Sequence, residues 1–193
     1  MNNPEYVKVN DKKYKINTDF RVALECSKIA EDKEISDIER ALALIYLLFG
    51  DKGLEDTENH GELLKLGTRY LSLDKEVEKS DEEPDMDFEQ DMDYIETSFM
   101  SDYGIKLSET NMHWWTFYNL INGLSNSEMG NCCVLNRVRN LRRFDVSTIK
   151  DNKERQKIIK AQKAVALKKK EPVLTNKQEE SIREIYELAG LNK

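Results

Sequence analysis

The sequence predicts a mainly α-helical protein: a bundle-like helical body with a short N-terminal β-hairpin and an acidic linker. Its 193 residues include only three prolines and eight glycines, the residues that most often interrupt helices. Apolar residues recur every three or four positions along most of the chain, which is the spacing of one helix face. Alternating apolar and polar residues, the pattern of a strand, occur near the N-terminus.

The hairpin is predicted from four apolar residues that alternate with polar ones: Val7, Val9, Tyr14 and Ile16. A two-residue loop at Asp11 and Lys12 pairs Val9 with Tyr14 on one face, and Val7 with Ile16. An isolated hairpin is marginally stable in water. We therefore expect its apolar face to pack on the helices that follow.

Three helices are predicted between the hairpin and residue 73. Asp19 is placed to cap the first. Ser36 and Glu39 have the spacing of a capping box for the second, and Gly50 closes it. This second helix is predicted to be central to the core, with side chains at helical spacing: Ile38, Ala41, Leu42, Ile45, Leu48 and Phe49. The third spans about residues 62–71 and presents Leu63, Leu66 and Tyr70.

Residues 74–85 are predicted to form a mobile acidic linker, because their composition cannot bury enough apolar surface to stay fixed. After the linker, apolar residues at helical spacing predict one amphipathic helix that ends at Gly104: Phe88, Met92, Ile95, Phe99 and Tyr103. Further helices are predicted over about residues 111–122, 127–143, 151–169 and 176–188. The chain is thus divided into a hairpin-plus-helices region, the linker, a region of aromatic and basic helices, and a tail: residues 1–73, 74–85, 86–170 and 171–193.

Composition indicates a water-soluble protein, with 35% charged residues and a mean hydropathy of -0.71. No positively charged start followed by an apolar run lies near Met1, so a secretory signal is not expected. The longest apolar block, Ala41–Phe49, is shorter than the ~20 residues that span a bilayer as a helix. We therefore expect a cytosolic protein with no membrane partner.

Acids and bases are concentrated in different parts of the chain, although the net charge is -7. Residues 74–96 contain twelve acids and two bases, whereas residues 137–170 contain thirteen bases and three acids. Because these charges are nearly equal and opposite, we expect residues 85–96 and residues 137–170 to attract one another, within a chain or between copies. Exposed ion pairs contribute only about 0–1 kcal/mol each, so the attraction should be a summed effect.

The acidic run has several of the positions that an EF-hand calcium loop uses: Asp85, Asp87, Glu89, Asp91, Asp93 and Glu96. The sixth position of such a loop requires a glycine for its sharp turn, and here that position is Gln90. The predicted helix also conflicts with a loop. A solvated acidic face is therefore the favoured interpretation, and no metal is expected.

Three cysteines, Cys26, Cys132 and Cys133, give an odd count without CxxC spacing. Neither a disulfide framework nor a zinc site is indicated, and free buried thiols are favoured. The two histidines have no spacing to a nucleophile, and the chain has no phosphate loop, GxGxxG or nucleophile elbow. We therefore predict no catalytic, cofactor-binding or metal-binding residues and no enzymatic activity.

Five ring side chains lie close together in the sequence: His113, Trp114, Trp115, Phe117 and Tyr118. They could stack on bases or a cofactor, but aromatic residues at helical spacing more often belong to a core. Trp115 is one step around from the face of Trp114 and Tyr118, where it could border a groove. The arginines of 137–143 and the lysines that follow could bind phosphates, although a solvated face or a partner for the acidic segment is favoured.

Three phrases carry a family resemblance: DMDFEQDMDYIETSFMSDYGIKL, MHWWTFYNLINGL and GNCCVLNRVRNLRRFDVSTIKD. Together with the basic ALKKK end, they resemble a tail assembly chaperone family of temperate phages of Gram-positive bacteria. The genes of that family lie between those for the major tail protein and the tape-measure protein. The resemblance covers most of the chain and is densest over residues 85–170.

The resemblance implies a non-catalytic protein that coats the long helical tape-measure protein and brings tail-tube subunits to it. It implies action in the host cytoplasm and absence from the mature virion. The partner could be the tape measure, the tube protein or a smaller companion chaperone, and the protein could also form homo-oligomers. Amphipathic helices bind one another by placing apolar faces in grooves, which is compatible with this role.

We predict that the partner-binding surface includes Phe88, Met92 and Trp115, because the aromatic helix has more large rings than one face can bury. A different interpretation is a nucleic-acid-binding or regulatory phage protein that uses residues 137–170 with Trp114 or Trp115 for stacking, and it predicts steeply salt-dependent binding. A third is a structural component that remains in the tail.

Overall fold

The computed structural model describes residues 3–75, 83–126 and 132–168. In this part of the chain it confirms a mainly helical fold with an N-terminal β-hairpin. The two strands are β1 (Tyr6–Val9) and β2 (Lys12–Lys15). The helices are α1 (Phe20–Glu31), α2 (Asp37–Glu55), α3 (His60–Leu71), α4 (Met92–Tyr103), α5 (Trp114–Asn122), α6 (Val134–Arg143) and α7 (Asn152–Val165). Most of the predicted linker and the whole predicted helix at 176–188 lie outside the described residues.

The hairpin forms, but its predicted register is wrong by two residues. Val7 pairs with Tyr14, and Val9 pairs with Lys12. The loop is therefore at residues 10 and 11, where Asn10 adopts a left-handed φ of 52°. Asparagine tolerates this region better than most residues, which favours a loop that includes Asn10. Since strand side chains alternate with a period of two, the shift leaves the apolar side chains on one face.

Asp56, just after α2, holds the hairpin on the helices. Its carboxylate accepts hydrogen bonds from Lys12 Nζ at 2.7 Å, from the Tyr14 hydroxyl and from Asn59 Nδ2 at 3.0 Å. Asn10 Nδ2 extends this network by donating to Asn59 Oδ1 at 2.9 Å. The hydrogen bond from Lys12, with those from Tyr14 and Asn59, holds the pKa of the Asp56 carboxyl well below its usual range. No pattern in the sequence predicts this network.

The predicted caps of α1 and α2 are confirmed. Asp19 accepts a hydrogen bond from the Arg21 amide at 2.9 Å. Ser36 and Glu39 form the complete capping box, with the Ser36 amide donating to Glu39 Oε2 at 2.8 Å. Gly50 leaves helical geometry with a φ of 66°, but α2 continues beyond it to Glu55. The glycine therefore breaks the helix without ending it.

The prediction that Ile38 faces the core is wrong, because its side chain is 73% exposed. In α2 the buried residues are Ile45, Leu48, Phe49 and Gly53, which lie in its second half. Helical spacing identifies the face of a helix that is apolar. It does not say how far along that face the neighbouring helices reach.

The core is centred on stacked aromatic rings from three helices. Phe117 of α5 is fully buried, 4.4 Å between ring centroids from Phe20 of α1 and 5.3 Å from Phe99 of α4. Trp114 packs beside Phe117 at 5.9 Å. This confirms that the aromatic helix belongs to the core, and it joins elements from both sides of the predicted linker.

Helices α1 and α5 begin at a shared point. Their N-cap residues, Asp19 and His113, form an isolated antiparallel bridge. The first helical amide of α1, from Phe20, donates to the carbonyl of Met112 at 3.0 Å. The first helical amide of α5, from Trp114, donates to the carbonyl of Thr18 at 2.8 Å. Each helix therefore satisfies an N-terminal amide with a carbonyl that precedes the other helix.

The predicted amphipathic helix after Pro84 begins later than expected, at Met92. Residues 88–91 form a turn instead. The Asp87 carboxylate accepts hydrogen bonds from the amides of Glu89 at 2.9 Å and Gln90 at 2.8 Å, and thereby stabilises that turn. Because residues 88–91 are not helical, the argument that a helix there excludes a calcium loop does not apply to them.

Candidate partner-binding cleft

A cleft of about 880 Å³ lies between α1 and residues 83–92. Its apolar lining comes from α1, from the acidic segment and from the chain after α7: Leu24, Met86, Phe88, Met92 and Leu167. All five side chains are partly exposed to solvent. An apolar cleft of this size on a highly charged surface is the feature of the described residues best suited to hold another molecule.

The rim of the cleft carries charges of both signs. Lys28 on α1 and Glu89 on the opposite wall form an ion pair of 3.1 Å across it. Arg21 is held at one edge, because its Nη2 atom donates to the carbonyls of Leu107 at 2.6 Å and Thr110 at 3.1 Å. These groups keep the apolar floor inside a polar frame, which is the usual composition of a protein-binding surface.

Phe88 and Met92 both line this cleft, as the predicted partner-binding residues should if they act together. Phe88 also contacts the core, with its ring centroid 6.1 Å from that of Trp114 and 6.3 Å from that of Phe117. Met92 begins α4 and is half-buried. Met92 packs against the core as Phe88 does, so a mutation at Met92 has to be accompanied by a measurement of folding.

Trp115 lies apart from the cleft and is not among the residues that line it. Its indole Nε1 donates to the carbonyl of Tyr70 at 2.9 Å, and its ring stacks on the Tyr70 ring at 6.0 Å. The side chain is half-buried against the hydrophobic core. The fold uses Trp115 as packing, so a substitution to alanine is expected to lower stability as well as to alter the surface. Its role in partner binding stays a prediction.

The acidic wall of the cleft is fixed by three arginines of α6. Asp91 is fully buried and accepts bidentate hydrogen bonds from Arg142, each at 2.7 Å. Asp85 forms ion pairs with Arg139 at 2.9 Å and Arg143 at 2.6 Å. The predicted attraction between the acidic and basic segments is therefore confirmed within the chain at these contacts.

Arg142 binds more than the carboxylate. Its guanidinium also donates to the carbonyl of Asp85 at 2.8 Å and to the carbonyl of Val165 at 2.7 Å. The hydrogen bond to Asp91 raises the pKa of Arg142 further. One side chain thus connects the acidic segment, α6 and the end of α7.

The last described residues are attached to the same segment. The Lys168 amide donates to Gln90 Oε1 at 2.8 Å, and Gln90 Nε2 donates to the Lys168 carbonyl at 3.2 Å. Leu167 and Lys168 thereby become part of the cleft wall. The chain consequently continues from a point at the edge of the cleft.

The geometry gives little support to base stacking by the tryptophans. Trp114 is buried, and its Nε1 donates to the Leu71 carbonyl at 3.0 Å. Three of the arginines proposed to bind phosphate are engaged by Asp85 and Asp91. Exposed basic side chains are found instead along α7: Lys153, Lys157, Lys160 and Lys163.

The cysteines are free, and burial raises the pKa of the Cys26 thiol to about 12. Burial also raises the pKa of Cys132, which is half-buried. A thiol with a raised pKa is a poor nucleophile and a poor metal ligand. Among the described residues, no three His, Cys, Asp or Glu side chains are grouped so that they could hold a metal ion.

The described helices include none that is both long enough and apolar enough to cross a membrane.

No match to the chain was found among curated proteins or among solved structures. Comparison with protein families matches residues 1–167 to the family described as bacteriophage Gp15 protein. The match extends over the hairpin, helices α1 to α7 and the cleft lining as far as Leu167. The chain therefore belongs to the bacteriophage Gp15 protein family.

Proposed function

We propose that this phage protein is a non-catalytic tail assembly chaperone, and that its cleft binds a helical segment of another tail protein. The observation that carries the proposal is the apolar cleft between α1 and residues 83–92, with Phe88 and Met92 in its wall. Membership of a phage protein family supports the viral context. The tape-measure protein and the tail-tube protein are the proposed partners, and the host cytoplasm is the proposed place of action.

The chemistry of the lining fits an amphipathic helix. Such a helix places its apolar residues in a groove and leaves its polar face in water. Two of the lining residues, Met86 and Met92, have flexible side chains that can repack around different apolar partners. That adaptability suits a chaperone that binds similar sites repeated along a long protein, where many weak contacts add through multivalency.

Co-expression with the tape-measure protein and, separately, with the tail-tube protein tests the proposal by pull-down. Met92→Glu places a charge in the apolar cleft, and we expect it to weaken capture of the partner by about tenfold or more. The matched control is Met100→Glu on α4, because Met100 is 47% exposed and does not line the cleft. The control should bind as the unmodified protein does.

Circular dichroism and the melting temperature separate loss of binding from loss of folding. If Met92→Glu lowers the melting temperature, Leu167→Glu gives a second test at the outer edge of the cleft. Equal capture by both cleft variants and the unmodified protein would exclude the cleft as the binding site. Failure to capture either tail protein with the unmodified chain would count against the chaperone function itself.

A further inference from the structure

The cleft has a candidate occupant in the same chain. Leu167 and Lys168 form one end of the cleft wall, and Gln90 fixes Lys168 through two hydrogen bonds. Residues 169–193 follow directly. These residues therefore start at the rim of the apolar cleft.

The sequence of residues 176–188 has the pattern of a helix with one narrow apolar face. Ile182, Ile185 and Leu188 lie three residues apart along it. The opposite face carries Glu180, Arg183 and Glu187. The hydrophobic core described above and the proposed chaperone function leave this apolar face unexplained.

We infer that residues 176–188 bind in the cleft of their own chain when no partner occupies it. The proposal does not rest on the chaperone function, because it concerns the isolated protein. Residues 169–175 provide the connection, and an extended chain spans up to about 3.3–3.6 Å per residue. That reach of roughly 25 Å is enough to turn back over a cleft that begins at Lys168.

The connection also makes weak contacts sufficient. A short flexible link holds its ligand at an effective concentration of about 1 mM or more. A helix with three or four apolar side chains can therefore occupy the cleft even if the same segment, as a free peptide, binds poorly. The rim carries both signs of charge, so apolar contact with Leu24, Met86 and Met92 is the main attraction.

If the chaperone function also holds, this arrangement regulates it. A partner has to displace residues 176–188. The apparent affinity of the partner is then its affinity for an open cleft multiplied by the fraction of chains whose cleft is open. The free protein meanwhile covers its apolar surface. Self-association through the cleft would be reduced until a partner is available.

Methyl NMR of the full chain, with labelled methionine and isoleucine methyl groups, tests the inference. We expect nuclear Overhauser contacts from the methyl groups of Ile182 and Ile185 to those of Met86 and Met92. In the variant I182E/I185E the Met86 and Met92 signals should shift, whereas those of Met100 and Met112, which do not line the cleft, should stay. The matched control R183E changes the charge by the same two units on the polar face and should leave all four signals unchanged.

Two outcomes would overturn the inference. Absence of contacts between the isoleucines and the cleft methionines, with no shift in I182E/I185E, would show that the segment lies elsewhere. Contacts that persist when chains labelled only on methionine are mixed with chains labelled only on isoleucine would show that the occupant comes from a second copy. Neither result bears on pull-down of a tail protein, so the two proposals can fail independently.

Discussion

Asp56 and Asp91 have similar tasks but different surroundings. Asp56 connects the hairpin to the helices through Lys12, Tyr14 and Asn59. Asp91 connects the acidic segment to α6 through Arg142. The Lys12 side chain is 56% exposed, whereas the Arg142 side chain is 10% exposed and Asp91 is fully buried.

The difference in burial determines what each network contributes. A buried charge that loses its partner cannot be solvated, so breaking one side of the Asp91 pair is costly. In the Asp56 network Tyr14 and Asn59 are buried and only Lys12 is well exposed, so solvent can replace the Lys12 contact more readily than the others. We therefore expect a larger loss of stability from mutation in the Asp91 network, and a pH-dependent contribution from the Asp56 network.

The largest effect is expected for Arg142→Ala. It leaves the Asp91 carboxylate buried without its bidentate partner and also removes donors to two carbonyls. Loss of one member of a buried ion pair typically lowers the free energy of unfolding by about 3–5 kcal/mol. Urea denaturation measures this loss. Arg137→Ala, at an exposed position of the same helix, is the control and should change stability little.

A loss below about 1 kcal/mol for Arg142→Ala would mean that water or another side chain replaces the guanidinium. The distinction between the two aspartates would then disappear. An equal loss in Arg137→Ala would instead indicate a general weakening of α6.

An intermediate effect is expected from acid, and Asp56→Asn isolates it. Because the folded-state pKa of Asp56 lies below its unfolded value, its stabilisation is present above an unfolded pKa of about 3.9 and is lost as the pH falls through the folded pKa. The free energy of unfolding should therefore fall as the pH is lowered from about 5 towards 2. The Asn variant should show a shallower fall over that range, measured by urea denaturation at each pH.

Other carboxyl groups with lowered pKa, including Glu39 and Asp102, keep part of the acid response in the variant. Identical pH slopes for the variant and the unmodified protein would show that Asp56 contributes no proton-linked stability. Of the two aspartates, only Asp91 would then remain as an expected source of stability.

The smallest effect is expected for Lys28→Ala. Its ion pair with Glu89 joins two side chains that are 47% and 55% exposed. Such pairs contribute about 0–1 kcal/mol and are weakened by salt. Thermal unfolding of this variant in low and high salt should match that of the unmodified protein closely. A loss as large as that of Arg142→Ala would show that the cleft walls depend on this bridge.

Local signals predicted much of the fold. The predicted caps of α1 and α2 were correct because a capping residue acts within one turn of its own helix. The prediction that the aromatic helix is buried was correct because its rings outnumber those on any other described helix. The hairpin register failed because it depends on the loop conformation of Asn10, which apolar alternation does not encode. The predicted start of α4 before Met92 was wrong, because Phe88 lies at helical spacing from Met92 but belongs to a turn.

The sequence predicted which residues belong to the candidate site better than it predicted how they are arranged. Phe88 and Met92 could be chosen from their spacing, and attraction between the charged segments from their composition. The pairing of Asp91 with Arg142, and the wall formed by Leu167, depend on contacts between residues more than 50 positions apart. Trp115 was assigned to the same surface because the sequence indicates which face of its helix it occupies. The sequence does not indicate that Tyr70 packs against that face.

The bridge between Asp19 and His113 constrains the order in which this chain can fold. The first amides of α1 and α5 gain their hydrogen-bond partners only when segments that are far apart in the sequence meet, because each supplies the carbonyl that accepts from the other's amide. Closing a loop of this length has a larger entropic cost than forming a local helix and slows folding. Phe20 and Phe117 follow directly on the two sides of the bridge and stack on one another. The same encounter that satisfies the N-terminal amides of both helices therefore also brings together rings of the core.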